Sequence, residues 1–474
     1  MIWICAAFAR EPVEAVRPVP DEPATGLDFV GLAQIKTTAT NVGTTNAFLD
    51  GQVIGVIDGD SGAQAGNDLS HFSEQRVAAF LAYRPELLDG NAALHGGFEV
   101  DFAFGDAAYG IGGNTGGGFG GDQVNLQTRR LYVEVDSALF GHEQEWRAGL
   151  HFVTDGVGLP EEGLDAIFRS GARGTILASE AAGASLHGRV PERLRYRAGV
   201  YKLVENASAQ ADDVTLFMGD LELAPAWRTR IGVHAWHLHD LSDGQGGALG
   251  VGPSSSLSSL QGGPSVATEG EVHVTWLGAD AGWNADLRRG DAGLHGVAMA
   301  HIGRLGDTAA QGFHANGEGR WRWTAGEGSV LRAEVLYATG DSAGTPTYNG
   351  VLSTNSWGIA AATHATHGTL LLHPDLFSIN RQVSHTGDLA ASGRGQLSLT
   401  GSLGYDPIPD RLNVTLGGGH AAFGGGTTAQ EINLRVSGEP YLFLRTGLSG
   451  AYLARPGSDD DAWIVYASFD WLVI

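Results

Sequence analysis

Apolar and polar residues alternate one for one along most of this chain. Residues 98–104 (FEVDFAF) set Phe98, Val100, Phe102 and Phe104 on one side and Glu99 and Asp101 on the other. Residues 130–135 (RLYVEV), 145–152 (EWRAGLHF), 193–200 (RLRYRAGV) and 431–436 (EINLRV) repeat the pattern, and 463–473 does so at the end of the chain. A period of two is the mark of a strand with one greasy and one polar face. Roughly 18 such runs are present, each near the length a tilted strand needs to cross a bilayer. No stretch has a convincing helical period, and no apolar window is long enough for a membrane helix. Short links fall at 85–91, 137–143, 191–192, 224–226, 325–329, 406–410 and 438–440. Long links rich in Gly, Ser and Asp alternate with them, at 105–124, 154–171, 240–268, 340–386 and 454–461.

Each run is too polar on one face for a dry core and too apolar on the other for water. A barrel closed in lipid satisfies both faces and every backbone hydrogen bond. The predicted fold is therefore all-β: a single transmembrane antiparallel β-barrel of about 18 strands (16–18), with short periplasmic turns and long extracellular loops. A soluble sandwich, solenoid or propeller would also alternate, but its turns need not alternate in length, and no fixed repeat is present. Tyr83, Phe104, Trp146, Phe152, Trp321, Trp323, Trp463 and Trp471 fall near strand ends on the apolar side, where interfacial girdles sit. Residues 1–9 (MIWICAAFA) read as the end of a secretory signal, with Ala7-Phe8-Ala9 as its cleavage site. They lack a basic segment before them, so the native start is expected upstream. Residues 10–26 read as a flexible periplasmic leader and 27–474 as the barrel, which places the protein in a Gram-negative outer membrane.

Composition sharpens this picture. The 474 residues include 72 Gly, and 53 acids against 29 Lys and Arg give a net charge of -24. So acidic a chain is a poor nucleic-acid partner. Its one cysteine, Cys5, excludes a disulfide framework and a Cys-ligated metal centre. If the apolar face meets lipid, the interior carries Arg76, Glu99, Asp101, Arg130, Tyr132, Glu134, Arg147, His151, Arg195, Arg197, Arg230, Glu318, Arg320, Arg332, Glu334, Arg435 and Arg445, together with Arg193, Tyr201, His234, His314, Arg322, Arg411, Glu431 and Tyr441. Arginines outnumber acids there, the reverse of the whole chain. Such a bore favours anions, since guanidinium groups pair with carboxylate or phosphate. The competing expectation is that these arginines pair with acids on neighbouring strands and stiffen the wall.

Other features carry less. The Gly-rich 105–121 segment would constrict the bore or flex outside, and 340–386 is long enough for a lid or plug. Residues 58–60 (DGD) lack the distal Glu of a calcium loop. In 234–239 (HAWHLH) and 364–367 (HATH), alternation sends strand neighbours to opposite faces, so no compact metal site is expected. No H-E-x-x-H, G-x-S-x-G or P-loop motif occurs, and no enzyme activity or cofactor is expected.

Residues 127–134 (QTRRLYVE) and 146–151 (WRAGLH) resemble paired strands of porins and of alginate-export barrels. The resemblance is architectural and spans nearly the whole chain. It implies a passive channel of about 18 strands in outer-membrane lipid, with Arg and Glu brought into the pore. The solutes it implies are small hydrophilic molecules, anions or an acidic polysaccharide. A structural or adhesin barrel with a plugged lumen, or a barrel enzyme, are the alternatives. The oligomeric state is left open.

Overall fold

The structure, a computed structural model, describes residues 25–44, 48–49, 52–57, 63–86, 90–105, 124–139, 142–155, 176–190, 193–204, 213–243, 249, 269–285, 287, 290–341, 345–354, 364–375, 381–391, 393–409, 411–456 and 460–473. Eighteen long strands follow one another: β1 Gly26–Thr44, β2 Ala63–Arg84, β3 Ala92–Gly105, β4 Val124–Leu139, β5 His142–Thr154, β6 Ala178–Val190, β7 Leu194–Val204, β8 Val214–Ala226 and β9 Thr229–Asp240. The second half is β10 Val272–Trp283, β11 Ala292–Leu305, β12 Thr308–Arg322, β13 Val330–Ala338, β14 Gln396–Ile408, β15 Leu412–Phe423, β16 Thr428–Tyr441, β17 Leu444–Ala454 and β18 Ala462–Val473. Each pairs antiparallel with the next, and β18 returns to β1 with Ile35 opposite Phe469, so the sheet is a closed cylinder. No helix among the described residues is long and apolar enough to cross a membrane; the crossing is made by strands.

The two faces separate as the alternation requires. Leu131, Leu277, Leu399, Leu416, Ile432, Leu434 and Leu448 lie largely exposed on the outside. Their sequence neighbours point inward and are buried. So continuous an exposed apolar surface is the lipid-facing belt of a membrane barrel. Tyr83, Trp146, Trp321, Trp323 and Trp471 are exposed on that same outer surface. Phe152 is not among them: it is 2% exposed, packed away near the long-loop end of β5.

One rim is made of short connections, the tightest being 140–141, 191–193, 227–228, 409–411 and 442–443, with 85–91, 284–291 and 323–329 a little longer. Two of these lie a few residues later than the Pro-bearing segments suggest, because the strands run on through 224–226 and 438–441. The opposite rim carries the long links, but not uniformly. β11 turns into β12 through 306–307 alone, where Gly306 takes φ 57. That left-handed geometry suits a tight hairpin and favours glycine. The leader and signal segments, the calcium-like 58–60, and most of the 105–124, 154–171 and 240–268 links lie outside the described residues.

The described part of the 339–395 connection folds into the cylinder. Its 381–384 strand pairs parallel with 53–56 of the β1–β2 connection, and 347–348 pairs with β12. Leu370, Leu371 and Leu372 pack against Val42, Phe423, Leu453 and Tyr466. Val351, Leu352 and Leu389 join Trp236, Trp276, Leu238 and Val274 in a second apolar cluster. The interior is thus filled in part by its own loop.

Lipid contact makes depth decide the effect of charge on the outer surface. Leu434 sits mid-strand on β16, and Leu434→Arg is expected to cost about 2–4 kcal/mol of stability in lipid vesicles. Leu442→Arg, at an exposed turn, should cost only about 0–1 kcal/mol. Denaturant unfolding of vesicle-inserted protein measures both.

Candidate functional site

The interior wall is a chain of ion pairs laid across neighbouring strands. Arg76 on β2 faces Asp101 on β3 in register, and its Nε lies 2.8 Å from Asp101 Oδ1 and 2.6 Å from Glu99 Oε1. The β3–β4 pairing slips between Gly97 and Phe98, leaving Arg129 as an extra residue. A bulge of this kind turns two successive side chains to one face. Arg129 therefore joins the interior, donating to Glu99 at 2.5 Å and to Glu180 at 2.6 Å. Its neighbour Arg130 lies over the Phe80 ring, 5.3 Å from its centroid.

A second network begins at Glu134, which accepts from Arg84 at 3.0 Å and lies opposite Arg147 in register. Arg147 donates to Glu145, and His95 stacks on Tyr132 with centroids 4.5 Å apart. His151 follows, edge-on to Tyr201 and within reach of Ser185. A third network centres on Asp220, which accepts from Arg197 at 2.6 Å and from the Trp236 indole at 2.9 Å. His234 bridges Asp220 to Asp280, at 2.8 Å to each. Further round, Arg320 donates to Glu318 at 2.7 Å, and Glu334 takes Asn316 and the His364 ring of the inserted loop. Arg332 stands opposite Arg320 in register, and half-buried.

The remaining arginines divide by role. Arg435 donates to the Thr369 carbonyl and so holds the loop. Arg195 and Arg230 share Glu222, at 3.5 and 4.0 Å, and stay partly open to solvent near the short-turn rim. Arg445 lies 3.8 Å from Glu439. Arg193, Arg411 and Tyr441 do not reach the interior: they are exposed where strands meet turns, Tyr441 at 74%. The alternation count also passed over interior acids: Glu74, Glu145, Glu180, Asp220, Glu222, Asp280 and Asp470. Most of these share strand parity with residues it did name, as Glu145 does with Arg147, and were legible by the same rule. Arg129 was not, because the bulge breaks parity; nor was Glu180, which has the opposite parity to the inward Ser185 and His187 on a strand whose register does not shift. With these acids included, the wall is largely compensated, and the surplus of interior arginine disappears.

The loop is seated by backbone groups as much as by side chains. Glu431 accepts from the N–H groups of Leu370, Leu371 and Leu372 at 2.6–2.8 Å. Asn433 donates to Gly368 O at 2.6 Å, and Lys36 pairs with Asp375 at 3.2 Å. The wall beneath is stripped to make room: a Cβ on Gly417 would lie 2.7 Å from the Gly368 carbonyl. His373 is held between Thr386 and Ser398, at 3.2 and 2.7 Å. Burial holds the His373 imidazole well below its ordinary range, and burial with the nearby Arg394 guanidinium lowers His385 to about 4.

Both loop histidines are thus neutral when seated. Once unseated they return to about 6.5. Between that pH and about 4 only the unseated loop takes up protons, so acidification weakens seating and neutral pH restores it. Hydrogen exchange of 364–375 should accelerate as pH falls through this window, after correction for intrinsic rates. Glu431→Ala leaves three buried N–H groups without their acceptor, at about 1–3 kcal/mol each. Exchange at 370–372 should rise by at least tenfold, with strand amides unchanged.

No protein-family model matches the chain, and no curated protein matches it in sequence. Solved structures do. OccAB4 of Acinetobacter baumannii aligns over 96% of this chain and 99% of its own, with 10% identity and a TM-score of 0.51. A BenF-like porin from Pseudomonas fluorescens Pf-5 aligns over 94% and 98%, with 11% identity and a TM-score of 0.51. At these identities the likeness is one of fold. A closed cylinder of 18 strands, apolar outside and charged within, makes the chain an integral β-barrel of the outer membrane with the architecture of a porin.

Proposed function

We propose that the protein is a passive outer-membrane channel for small hydrophilic solutes, with a preference for anions set by a few solvent-facing arginines. The observation that carries this reading is the set of charged and polar side chains presented inward along much of the wall, from Arg76 and Asp101 to Asp220, Glu318 and Glu334. Anion preference rests on Arg195 and Arg230, whose guanidinium groups remain part-exposed to solvent beside Glu222. The fully buried arginines act as wall, because their donors are spent on neighbouring acids. A small solute fits better than an acidic polysaccharide, since the inserted loop occupies much of the interior. That same insertion supports a second reading, a structural or adhesin barrel with a closed lumen. Among the described residues, no arrangement favours an enzyme.

Planar-bilayer recording separates these readings. Discrete conductance steps with a reversal potential on the anion side are expected. Arg195→Glu with Arg230→Glu should move that potential toward cations without abolishing conductance. Silence of correctly folded protein would instead favour the closed barrel.

A further inference from the structure

The outer surface carries a side-chain cluster that the bore does not use. Along β9 the even-numbered residues point inward, so His237 and His239 both face out. They are two apart rather than one, which puts them on the same face. The third histidine comes from the neighbouring strand: His239 stands opposite His273 of β10 in register. Their rings stack with centroids 4.5 Å apart and planes 19° from parallel. The Nε2 atoms converge on a single oxygen, Oε1 of Glu271, at 2.7 Å from His239 and 2.8 Å from His273. All three ligand atoms lie within 4.8 Å of one another.

The surroundings suit an ion. The side chains are 32%, 40% and 53% exposed, so water can complete a coordination sphere. Ile231, Val233 and Leu277 form the apolar belt nearer the short-turn rim. The cluster therefore sits beyond the belt, where strands leave the hydrocarbon. His237 stands behind it, its Nδ1 2.9 Å from Thr275 Oγ1 and its ring 5.8 Å from that of His273. Two imidazoles and one carboxylate match zinc, nickel, cobalt or copper, whereas calcium and magnesium require mostly oxygen.

We propose that His239, His273 and Glu271 bind one divalent transition-metal ion of the zinc class on the external rim. The ion takes the place where the two Nε2 atoms now meet Glu271 Oε1, and it is held by imidazole and carboxylate ligands free of protons at those atoms. It ties β9 to β10 at the ends of their long connection.

Untagged, detergent-purified protein titrated with Zn2+ near neutral pH tests this, with Co2+ absorption as a second readout. One equivalent is expected to bind, with cobalt bands of low coordination number that zinc abolishes. His239→Ala, His273→Ala and Glu271→Gln should each weaken binding by about tenfold or more, since even outer-sphere partners of a metal ligand have effects that large. His237→Ala should leave binding, and all four variants should leave conductance, unchanged. In the unmodified protein Zn2+ should also protect His239 and His273 from diethyl pyrocarbonate, which needs no variant to fold. Absence of stoichiometric binding, equal binding by His239→Ala and His273→Ala, or unprotected histidines would overturn the proposal.

Discussion

The backbone hydrogen bond decides this structure. In hydrocarbon an unpaired N–H or C=O has no water to turn to, and each costs several kcal/mol. A sheet can meet that demand only by having no edge. The pairing of β1 with β18 removes the last one, joining residues more than 400 positions apart. Everything else is arranged around that closure. One side of every strand must then suit lipid, the other must suit whatever the cylinder encloses, and the alternation of the sequence is the direct print of that requirement.

The enclosed side solves a second problem. Charged side chains on a closed wall are far from bulk water and must find partners. Cross-strand register supplies them: Arg76 meets Asp101, Arg147 meets Glu134, and Asp220 meets both Arg197 and His234. These pairs fix strand register, since a slip of one residue would send each charge into lipid. They also spend most of the wall's positive charge. On the channel reading proposed above, selectivity would fall to the few arginines that solvent still reaches.

The fold was legible because its cause is local. A period of two can be read from any ten residues, and closure follows from having nowhere else to put the apolar faces. The wall residues were legible for the same reason, down to Arg147 and Arg197. What escaped was whatever depends on a break in the period or on distant segments meeting. Arg129 turns inward only because β4 bulges, and nothing in 127–134 marks the bulge. The seating of 368–372 on Glu431, Asn433 and the bare Gly417 joins segments some 60 residues apart. The run of glycines at 417–419 is its visible trace in the sequence. His239 and His273 are likewise brought together by register, which the sequence does not print.

The parallel pairing of 381–384 with 53–56 bears on how the molecule is made. These two pieces come from opposite parts of the chain and hang from the first and thirteenth strands. Neither can find the other reliably until the wall between them has rolled up, because the entropy of so long a loop must first be offset by the intervening hairpins. The topology predicts that the inner segment docks late in biogenesis, following insertion rather than guiding it. On that order a newly assembled barrel is hollow before its own chain furnishes it.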